Sequence, residues 1–498
     1  MKSKALRWIL GGLGVFFLLS ALVITVAEYN RFTGQTIAFP AGSRVADVPV
    51  GGLDPAAAEA RLAEFFNLPL ILVIEGERVH VDPGDLGFVI DPAELVMEGM
   101  AQVETATFWD FLRGQGNPSA IIEVPLAASV DEAQVRAFLQ EQIAPRYTQL
   151  GVSSAPIPGT TNFSIGKPSQ HLLVDQAVAD IRAALLSPDT HQVTLQVEEG
   201  EVSPITDETL TAFLRHNLEW IGFDGLVEIY LESLETGANL QLAVRAGEDV
   251  QPGIAFPAAS TNKIPIMVSV LRRTPEPTPD AVVTLLNQMI GRSENPPADT
   301  LMSVYLDEVR GPLVVSEDMA ALGLENTFLA GYFYLGAPLL QLFDTPANTR
   351  QDVFLAPDRY NQTAPADVGR LLAAIYDCAE DNGGLLIETF PGEITPAKCR
   401  LMIEVLAANQ IGLLIEAGLP FGASAAHKHG WAPDLDGQLR FMSDVAIVLT
   451  EGGDYVLNIF LHDPDRLDFD QGNRLVARLS QTVYNFFNLD NQAYWWFD

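Results

Sequence analysis

The longest almost uninterrupted run of apolar residues lies near the N-terminus, at residues 9–27. A helix of this length, at about 1.5 Å per residue, crosses a hydrocarbon core about 30 Å thick. Lys2, Lys4 and Arg7 precede the run and Glu28 follows it. The positive-inside rule then predicts a membrane anchor at residues 1–30, with a cytoplasmic N-terminus and the rest of the chain outside the cell membrane.

A cleaved signal peptide is the alternative interpretation of this run. Thr25 and Ala27 would then be the small residues before the cleavage site, although the run is long for such a segment. The sequence favours the retained anchor and leaves cleavage open.

Residues 31–205 show helical periodicity at 54–62, followed by alternating strand patterns at 70–74 and 78–81. A similar helix and strand recur at 175–182 and 192–197. This recurrence predicts a small α+β region built from two diverged repeats.

From residue 206 the pattern changes to that of a larger domain ending at residue 498. An amphipathic helix at 207–221 precedes strands near 227–231 and 240–245, and further strands follow at 441–449 and 455–461. A last helix carries apolar residues at helical spacing between 475 and 486. The pattern predicts an α+β fold with helices packed on an antiparallel sheet.

Length and charge limit the classes of function. A chain of 498 residues with 48% hydrophobic residues is expected to form two or three domains. Its formal net charge of −35 opposes binding to polyanions, because phosphate neutralisation requires clustered Lys and Arg. Nucleic acid is therefore excluded as a partner.

The two cysteines, Cys378 and Cys399, fall in a segment that is predicted to form two helices joined by a connecting stretch. In an oxidising compartment such a pair can form a disulfide. Two buried free thiols are the alternative. Neither cysteine has a Cys or His neighbour at metal spacing, so no metal site is expected.

Candidate chemistry lies at Ser260-Thr261-Asn262-Lys263. A helix beginning near Ser260 places Lys263 one turn later on the same face, where its amine can accept the serine proton. The same spacing also occurs at Ser164 and Lys167, but Pro168 follows at once and no apolar helix continues. The spacing alone is therefore a weak signal.

The order of three motifs strengthens it. Ser260-Thr261-Asn262-Lys263 is followed by Ser293-Glu294-Asn295 and then by Lys428-His429-Gly430. This series resembles the Ser-x-x-Lys, Ser-Asp-Asn and Lys-Thr-Gly motifs of class A β-lactamases and penicillin-binding proteins. The resemblance covers residues 206–498.

The resemblance implies catalytic roles for four residues. Ser260 would be the acylated nucleophile and Lys263 the amine that activates it. Ser293 would pass a proton toward the leaving nitrogen, with Lys428 beside it to attract the substrate carboxylate. No metal or organic cofactor is implied.

The resemblance also implies a substrate-binding set. Asn295 would bind a substrate backbone amide. His429 and Gly430 would lie on the strand that runs beside the bound substrate. The backbone N–H groups of Ser260 and Trp431 would form the oxyanion hole.

Three features depart from the family pattern. Glu294 replaces Asp, and His429 replaces the hydroxyl residue, which introduces a group that can titrate and so weaken the binding of anionic substrate as pH rises. The stretch at 344–365 lacks the glutamate that activates water in class A enzymes, leaving Asp344, Asp352 and Asp358 as candidates.

Residues 31–205 resemble the peptidoglycan-binding repeats of envelope proteins through short glycine and aspartate patterns at 48–54 and 173–175. A spacer between membrane and hydrolase domain is an equal alternative. The sequence thus predicts an extracytoplasmic serine hydrolase acting on a β-lactam or a peptidoglycan stem peptide, with D,D-peptidase activity as runner-up. The alternative from another class is an envelope-binding protein whose hydrolase fold has lost turnover.

Overall fold

The computed structural model describes residues 2–114, 120–353, 355–380, 383–434 and 436–494. They form two compact units. The first comprises Met1–Val152 and Pro168–Val202, and the second comprises Ser153–Lys167 and Ser203–Asp498.

The first unit begins with the helix Lys2–Thr33. Its segment Leu6–Thr33 has a mean hydropathy of 2.5 in its most apolar stretch, none of which is buried inside the protein. Length and composition suit a membrane span, and a signal sequence has the same properties. At its C-terminal end, Tyr29 and Phe32 pack edge-on against Phe108, with ring centroids 5.4 and 5.6 Å away.

The rest of the first unit is a mixture of short helices and strands around one core. The helices are Pro55–Phe66, Pro92–Ala101, Phe108–Leu112, Glu132–Phe138, Ala144–Tyr147 and Val174–Leu185, with a 3₁₀ turn at Pro83–Leu86 and a π-helical turn at Leu139–Ile143. The strands are Arg44–Val45, Val48–Pro49, Leu70–Ile74, Glu77–Val81, Phe88–Ile90, Glu123–Val124, Ala128–Val130, Gln170–Leu172, Gln192–Leu195 and Val197–Glu199.

The central strand of this unit, Leu70–Ile74, pairs antiparallel with Glu77–Val81 and parallel with Gln192–Leu195. The turn between the first two uses Glu75 and Gly76 at φ 48° and 85°, the left-handed region that a two-residue hairpin requires. Strands from both predicted repeats therefore share one sheet. The duplication itself stays a prediction.

The second unit is built on a six-stranded antiparallel sheet. In spatial order its strands are Glu248–Asp249, Asn239–Arg245, Leu226–Ser233, Tyr455–His462, Leu439–Leu449 and Ser424–Pro433. A smaller sheet contains Phe256–Pro257, Asn361–Thr363 and Phe328–Leu329. The α-helices are Asp207–Ile221, Lys263–Arg273, Asp280–Gly291, Asn295–Tyr305, Gly311–Ala321, Pro365–Glu380, Leu385–Thr389, Pro396–Ala407 and Phe469–Phe487, and 3₁₀ turns lie at Ala259–Asn262, Glu416–Gly418 and Leu489–Asn491.

Both faces of the large sheet are covered, because alternate residues of each strand point to opposite sides. On one face, residues such as Ile229 and Leu457 pack against the helices Asp207–Ile221 and Phe469–Phe487. On the other face, Tyr230 and Phe460 join the core formed by the remaining helices. The predicted α+β architecture of helices on an antiparallel sheet is confirmed.

The second unit includes a segment that lies earlier in the chain, Ser153–Lys167. The hairpin of Ala155–Pro156 and Phe163–Ser164 belongs to the second unit. Phe163 is buried there against Phe213, with ring centroids 5.1 Å apart. Apolar burial of this ring explains why residues 153–167 pack with the larger unit.

Cys378 and Cys399 form a disulfide with a Cα–Cα distance of 5.9 Å. It joins the helices Pro365–Glu380 and Pro396–Ala407, in the helix, connection, helix arrangement that the sequence predicts. Of the two states that the sequence left open, the structure has the bonded one.

Candidate active site

Ser260 lies in the 3₁₀ turn Ala259–Asn262, directly before the helix Lys263–Arg273. Asn262 fixes this turn, because its Nδ2 donates to the carbonyl oxygens of Phe328 and Gln362 and to Asn361 Oδ1. As the spacing predicts, the turn brings Lys263 Nζ within 3.1 Å of Ser260 Oγ. Ser260 stays partly exposed, whereas Lys263 is fully buried.

Two further acceptors hold the amine of Lys263. It donates to the carbonyl oxygen of Ser293 at 2.7 Å and to Asn295 Oδ1 at 2.9 Å. Two of the N–H bonds of Nζ are held by these acceptors, so the remaining direction on the nitrogen points to Ser260 Oγ. Burial lowers the pKa of Lys263 to about 8, although Asp299 and Glu294 oppose the shift. The neutral amine is thus accessible near neutral pH, with its lone pair directed at the serine.

The backbone at Ser293 explains how one residue serves two lysines. Its φ of 59° lies in the left-handed region, which is uncommon for a residue with a side chain. The turn directs the Ser293 carbonyl to Lys263, while Ser293 Oγ accepts from Lys428 Nζ at 2.9 Å. Asn295 then begins the helix Asn295–Tyr305.

Lys428 lies on Ser424–Pro433, the edge strand of the large sheet. Burial and the nearby charge of Lys263 lower its pKa well below the ordinary value, while Asp444 acts in the opposite direction. Lys428 Nζ also donates to the carbonyl oxygen of His429 at 3.1 Å. The structure thus brings all four predicted catalytic residues into one hydrogen-bonded chain, from Ser260 through Lys263 and Ser293 to Lys428.

Gly430 allows the edge strand to approach the 3₁₀ turn that carries Ser260. A Cβ atom at this position would lie 2.6 Å from the carbonyl oxygen of Ala258 and 3.1 Å from Thr261 Cγ2. The first of these contacts is with backbone, so a side chain would push the strand away. Gly430 therefore sets the spacing between Lys428 and Ser260.

His429 and Trp431 stack on each other on the same face of this strand, with ring centroids 4.3 Å apart. Trp431 also meets Phe469 edge-on at 5.2 Å. Burial and the positive charges of Lys428, His427 and Lys263 lower the pKa of His429 to about 2. The expected titration of His429 near neutral pH is therefore corrected, because the ring stays neutral.

Among the described residues, the three aspartates that the sequence offers as water-activating groups form no hydrogen bond with the Ser260–Lys263 pair. Asp352 pairs with Arg350 at 2.6 Å, and Asp358 Oδ1 accepts from the Tyr360 N–H at 2.9 Å. Asp344 is exposed. Across the described segments, no hydrogen bond or ion pair joins any of these three aspartates to Ser260 or Lys263.

Sequence reasoning missed two residues beside Lys263. The ring centroid of Phe333 lies 5.4 Å from Lys263 Nζ. Asp299 Oδ1 accepts from the Phe333 N–H at 2.7 Å and holds this loop in place. Asp299 follows Asn295 by four residues in one helix, a spacing that puts both on one face and was visible in the sequence. Nothing in the sequence around Phe333 marked it as part of the site.

A second missed group lies behind the Lys428 strand. His427 Nδ1 is 3.0 Å from both carboxylate oxygens of Asp444, and its Nε2 is 3.2 Å from Glu416 Oε2. Burial alone would lower the pKa of His427, but the two carboxylates outweigh it and raise the pKa to about 9. His427 is therefore a buried cation at neutral pH.

Ser164 and Lys167, the second Ser-x-x-Lys pair, lie outside this arrangement. Ser164 is in the hairpin strand Phe163–Ser164, and its Oγ donates to the carbonyl oxygen of Ala155 at 3.0 Å. No helix follows it to present the lysine. Within the described residues, no group of three or more His, Cys, Asp or Glu side chains is placed to hold a metal ion.

The fold of the second unit and this hydrogen-bonded chain resemble those of a β-lactamase-like domain. Residues 276–487 match the model of the β-lactamase enzyme family, a range that includes Ser293, Asn295 and Lys428. The resemblance of the C-terminal domain predicted from the motifs is confirmed. The resemblance of residues 31–205 to peptidoglycan-binding repeats stays a prediction.

Solved structures similar to the chain include PBP-A, at 19% identity over 58% of this chain and 98% of that one, with a TM-score of 0.40. A β-lactamase from Xanthomonas campestris pv. campestris shows 17% identity over 56% of this chain and 98% of that one, with a TM-score of 0.41. A variant of the last common ancestor of Gram-negative bacterial class A β-lactamases shows 18% identity over 57% and 99%, with a TM-score of 0.40. No curated protein matches the chain.

Proposed function

We propose that this protein is a membrane-anchored, extracytoplasmic serine hydrolase that acts by acyl transfer on a β-lactam or a peptidoglycan stem peptide. The observation that carries the proposal is the position of Lys263 Nζ, 3.1 Å from Ser260 Oγ and held by two fixed acceptors. A buried amine with a lowered pKa beside a partly exposed serine is the arrangement of an activated nucleophile.

In the proposed acylation step, Ser260 Oγ attacks the carbonyl carbon of the substrate amide while its proton moves to the neutral amine of Lys263. The carbonyl oxygen becomes an oxyanion, for which the backbone N–H groups of Ser260 and Trp431 are the proposed donors. Collapse of this intermediate breaks the carbon–nitrogen bond. The leaving nitrogen takes a proton from Ser293 Oγ, and Lys428 Nζ, as an ammonium group, returns a proton to that oxygen. An ester on Ser260 remains, and Lys263 holds the proton that Ser260 lost.

The remaining site residues are proposed to bind substrate. Lys428 attracts the substrate carboxylate, and His429 contributes as a neutral ring. The Asn295 side-chain oxygen is taken by Lys263, which leaves its NH₂ group for a substrate carbonyl. Gly430 keeps the edge strand close enough for these contacts.

Location and accessory binding complete the proposal. The helix Lys2–Thr33 is proposed to span the cell membrane with its N-terminus in the cytoplasm, since basic residues precede its apolar run. Residues 31–205 are proposed as a spacer or peptidoglycan-binding region between the membrane and the hydrolase domain at 206–498.

Covalent labelling of the full chain by a fluorescent penicillin tests the nucleophile. We expect labelling of the wild type at Ser260, identified by peptide mass spectrometry, and none in Ser260→Ala or Lys263→Ala. Ser164→Ala and Lys167→Ala form the matched control pair and should label like the wild type. Labelling that survives Ser260→Ala would overturn the assignment.

D,D-peptidase activity on a stem peptide is the runner-up to β-lactam hydrolysis, and one observation argues against fast hydrolysis of a β-lactam acyl-enzyme. The group beside Lys263 is the apolar ring of Phe333, and the nearby carboxylate of Asp299 accepts the N–H groups of Phe333 and Tyr334. Release of D-alanine from a synthetic stem peptide, compared with penicillin turnover, separates these two activities. Absence of both, with no penicillin labelling, would favour an envelope-binding protein without turnover.

A further inference from the structure

A cavity of about 630 Å³ lies on the face of the large sheet away from Lys263, between the ends of two helices. It is lined by Trp220, Ile221, Asp468, Gln471, Arg474 and Arg478. This volume is in the range of small-molecule sites, roughly 300–1,000 Å³. None of its lining residues takes part in the proposed hydrolytic mechanism.

Arg478, at the floor of the cavity, is a buried cation without a carboxylate partner in the described part of the chain. The residue is 8% exposed. Its Nε donates to Asn217 Oδ1 at 2.6 Å and its Nη2 to the carbonyl oxygen of Gly159 at 3.0 Å, and both acceptors are neutral. Nη1 has no hydrogen-bond partner among the residues that the structure describes. Burying a charge is costly unless it is paired, so an anion at Nη1 would complete the site.

Arg474 precedes Arg478 by one helical turn on the same face. It is exposed and forms no ion pair with any described residue. Like charges at this spacing repel each other. The only acidic group in the lining is Asp468, which caps the helix by accepting the Gln471 N–H at 2.9 Å. In a chain with 64 acidic and 29 basic residues, two arginines one turn apart that have no acidic partner among the described residues point to an external anion.

Trp220 adds a flat apolar surface at the rim. It is 62% exposed, and its ring lies directly over Gly159, where an added Cβ atom would be 3.3 Å from the ring. The backbone beneath fixes the ring without covering it. A planar ring beside two guanidinium groups suits a ligand that carries both an apolar ring face and a carboxylate.

We infer that this cavity binds a carboxylate-bearing saccharide, with Arg474 and Arg478 holding the carboxylate and Trp220 stacking on the sugar ring. The saccharide class rests on the proposed function at the cell envelope, where such sugars are part of peptidoglycan. The carboxylate of muramic acid is free only where its stem peptide has been removed, so the ligand is a peptide-free stretch of glycan.

Saturation-transfer NMR with the full chain in nanodiscs tests the inference, with N-acetylmuramic acid as the probe. N-acetylglucosamine, which lacks the carboxylate, is the matched ligand control. We expect binding of the acid only. Arg474→Gln and Trp220→Leu should weaken it about tenfold or more, the size expected for losing one charge-assisted hydrogen bond or a stacked ring. Both positions are exposed, so these variants should fold, which thermal unfolding verifies.

The protein controls are Arg310→Gln, an exposed arginine paired with Glu317 elsewhere in the same unit, and Trp109→Leu, a tryptophan with 66% exposure in the first unit. Both should bind like the wild type. Equal binding of the two sugars, or unchanged binding in Arg474→Gln, would refute the site. Displacement by inorganic phosphate at equal concentration would refute the saccharide assignment. Penicillin labelling of the wild type reports separately on the hydrolase function.

Discussion

The ring of Phe333 lies beside the amine of Lys263, with 5.4 Å between the ring centroid and Nζ. Asp299 holds this ring in place through the Phe333 N–H. An apolar side chain therefore occupies the space beside Lys263. This arrangement bears on the second half of the reaction, in which a water molecule must be deprotonated to release the ester from Ser260.

We predict fast acylation by penicillins and slow hydrolysis of the acyl-enzyme, because Phe333 cannot activate water. Phe333→Glu introduces a carboxylate beside Lys263 and should speed hydrolysis by about tenfold or more, part of the ~10²–10⁴-fold that general-base catalysis supplies. Intact-mass time courses with a penicillin and a cephalosporin measure formation and loss of the acyl-enzyme separately.

Tyr334→Glu is the matched control, since Tyr334 is the exposed neighbour of Phe333. It should leave hydrolysis unchanged. Rapid multiple turnover by the wild type would contradict this prediction. Loss of that turnover in Asp344→Asn, Asp352→Asn or Asp358→Asn would identify the group that activates water.

The rate of acylation should follow the deprotonation of Lys263. Its pKa of about 8 means that the neutral amine, which is the base, becomes more abundant as pH rises. Below pH 8 the rate should therefore increase about tenfold per pH unit, and above pH 8 the contribution of Lys263 should level off. Stopped-flow acylation between about pH 6 and about pH 10, two units on either side of the Lys263 pKa, measures the profile.

His429 should add no step to this profile, because its pKa of about 2 keeps it neutral throughout. A fall in acylation with a midpoint near 6.5, the ordinary histidine value, would show that His429 titrates and binds the substrate carboxylate as a cation.

Lys428 and Ser293 should act as one unit in acylation. Lys428→Met keeps a similar length but removes the 2.9 Å hydrogen bond to Ser293 Oγ. We expect this variant and Ser293→Ala each to slow acylation by about 10²-fold, with the double variant little slower than either single one, since effects within one catalytic unit are not additive. Multiplicative losses would show that the two residues act independently.

The sequence was sufficient for the parts of this site that depend on local spacing. Ser260 and Lys263 are one turn apart, and any helix beginning there brings their side chains together. The order of the three motifs then predicted that Ser293 and Lys428 would join them. The sequence pattern likewise predicted the strands of the antiparallel sheet, whose two faces are both covered in the structure.

Features that depend on the path of a loop could not be predicted. The sequence pattern places the candidate water-activating group at residues 344–365, whereas the loop beside Lys263 carries Phe333, whose N–H donates to Asp299. The electrostatic state of His429 also depends on tertiary structure. Only burial next to Lys428 and His427 converts an ordinary histidine into one that stays neutral.

The buried His427 should make the protein less stable in alkaline solution. Asp444 and Glu416 raise its pKa from 6.5 to about 9, so the folded state binds this proton more tightly than the unfolded state does. The resulting stabilisation is fully present below pH 6.5 and is lost as pH rises through 9. The shift corresponds to a stabilisation on the order of 3 kcal/mol. Other buried groups also titrate in this range, so the difference between wild type and His427→Gln isolates the contribution. Urea unfolding at pH 6 and pH 9.5, on either side of this window, should show a large difference in unfolding free energy at pH 6 and a smaller one at pH 9.5. An equal difference at both pH values would mean that His427 is not protonated between its two carboxylates.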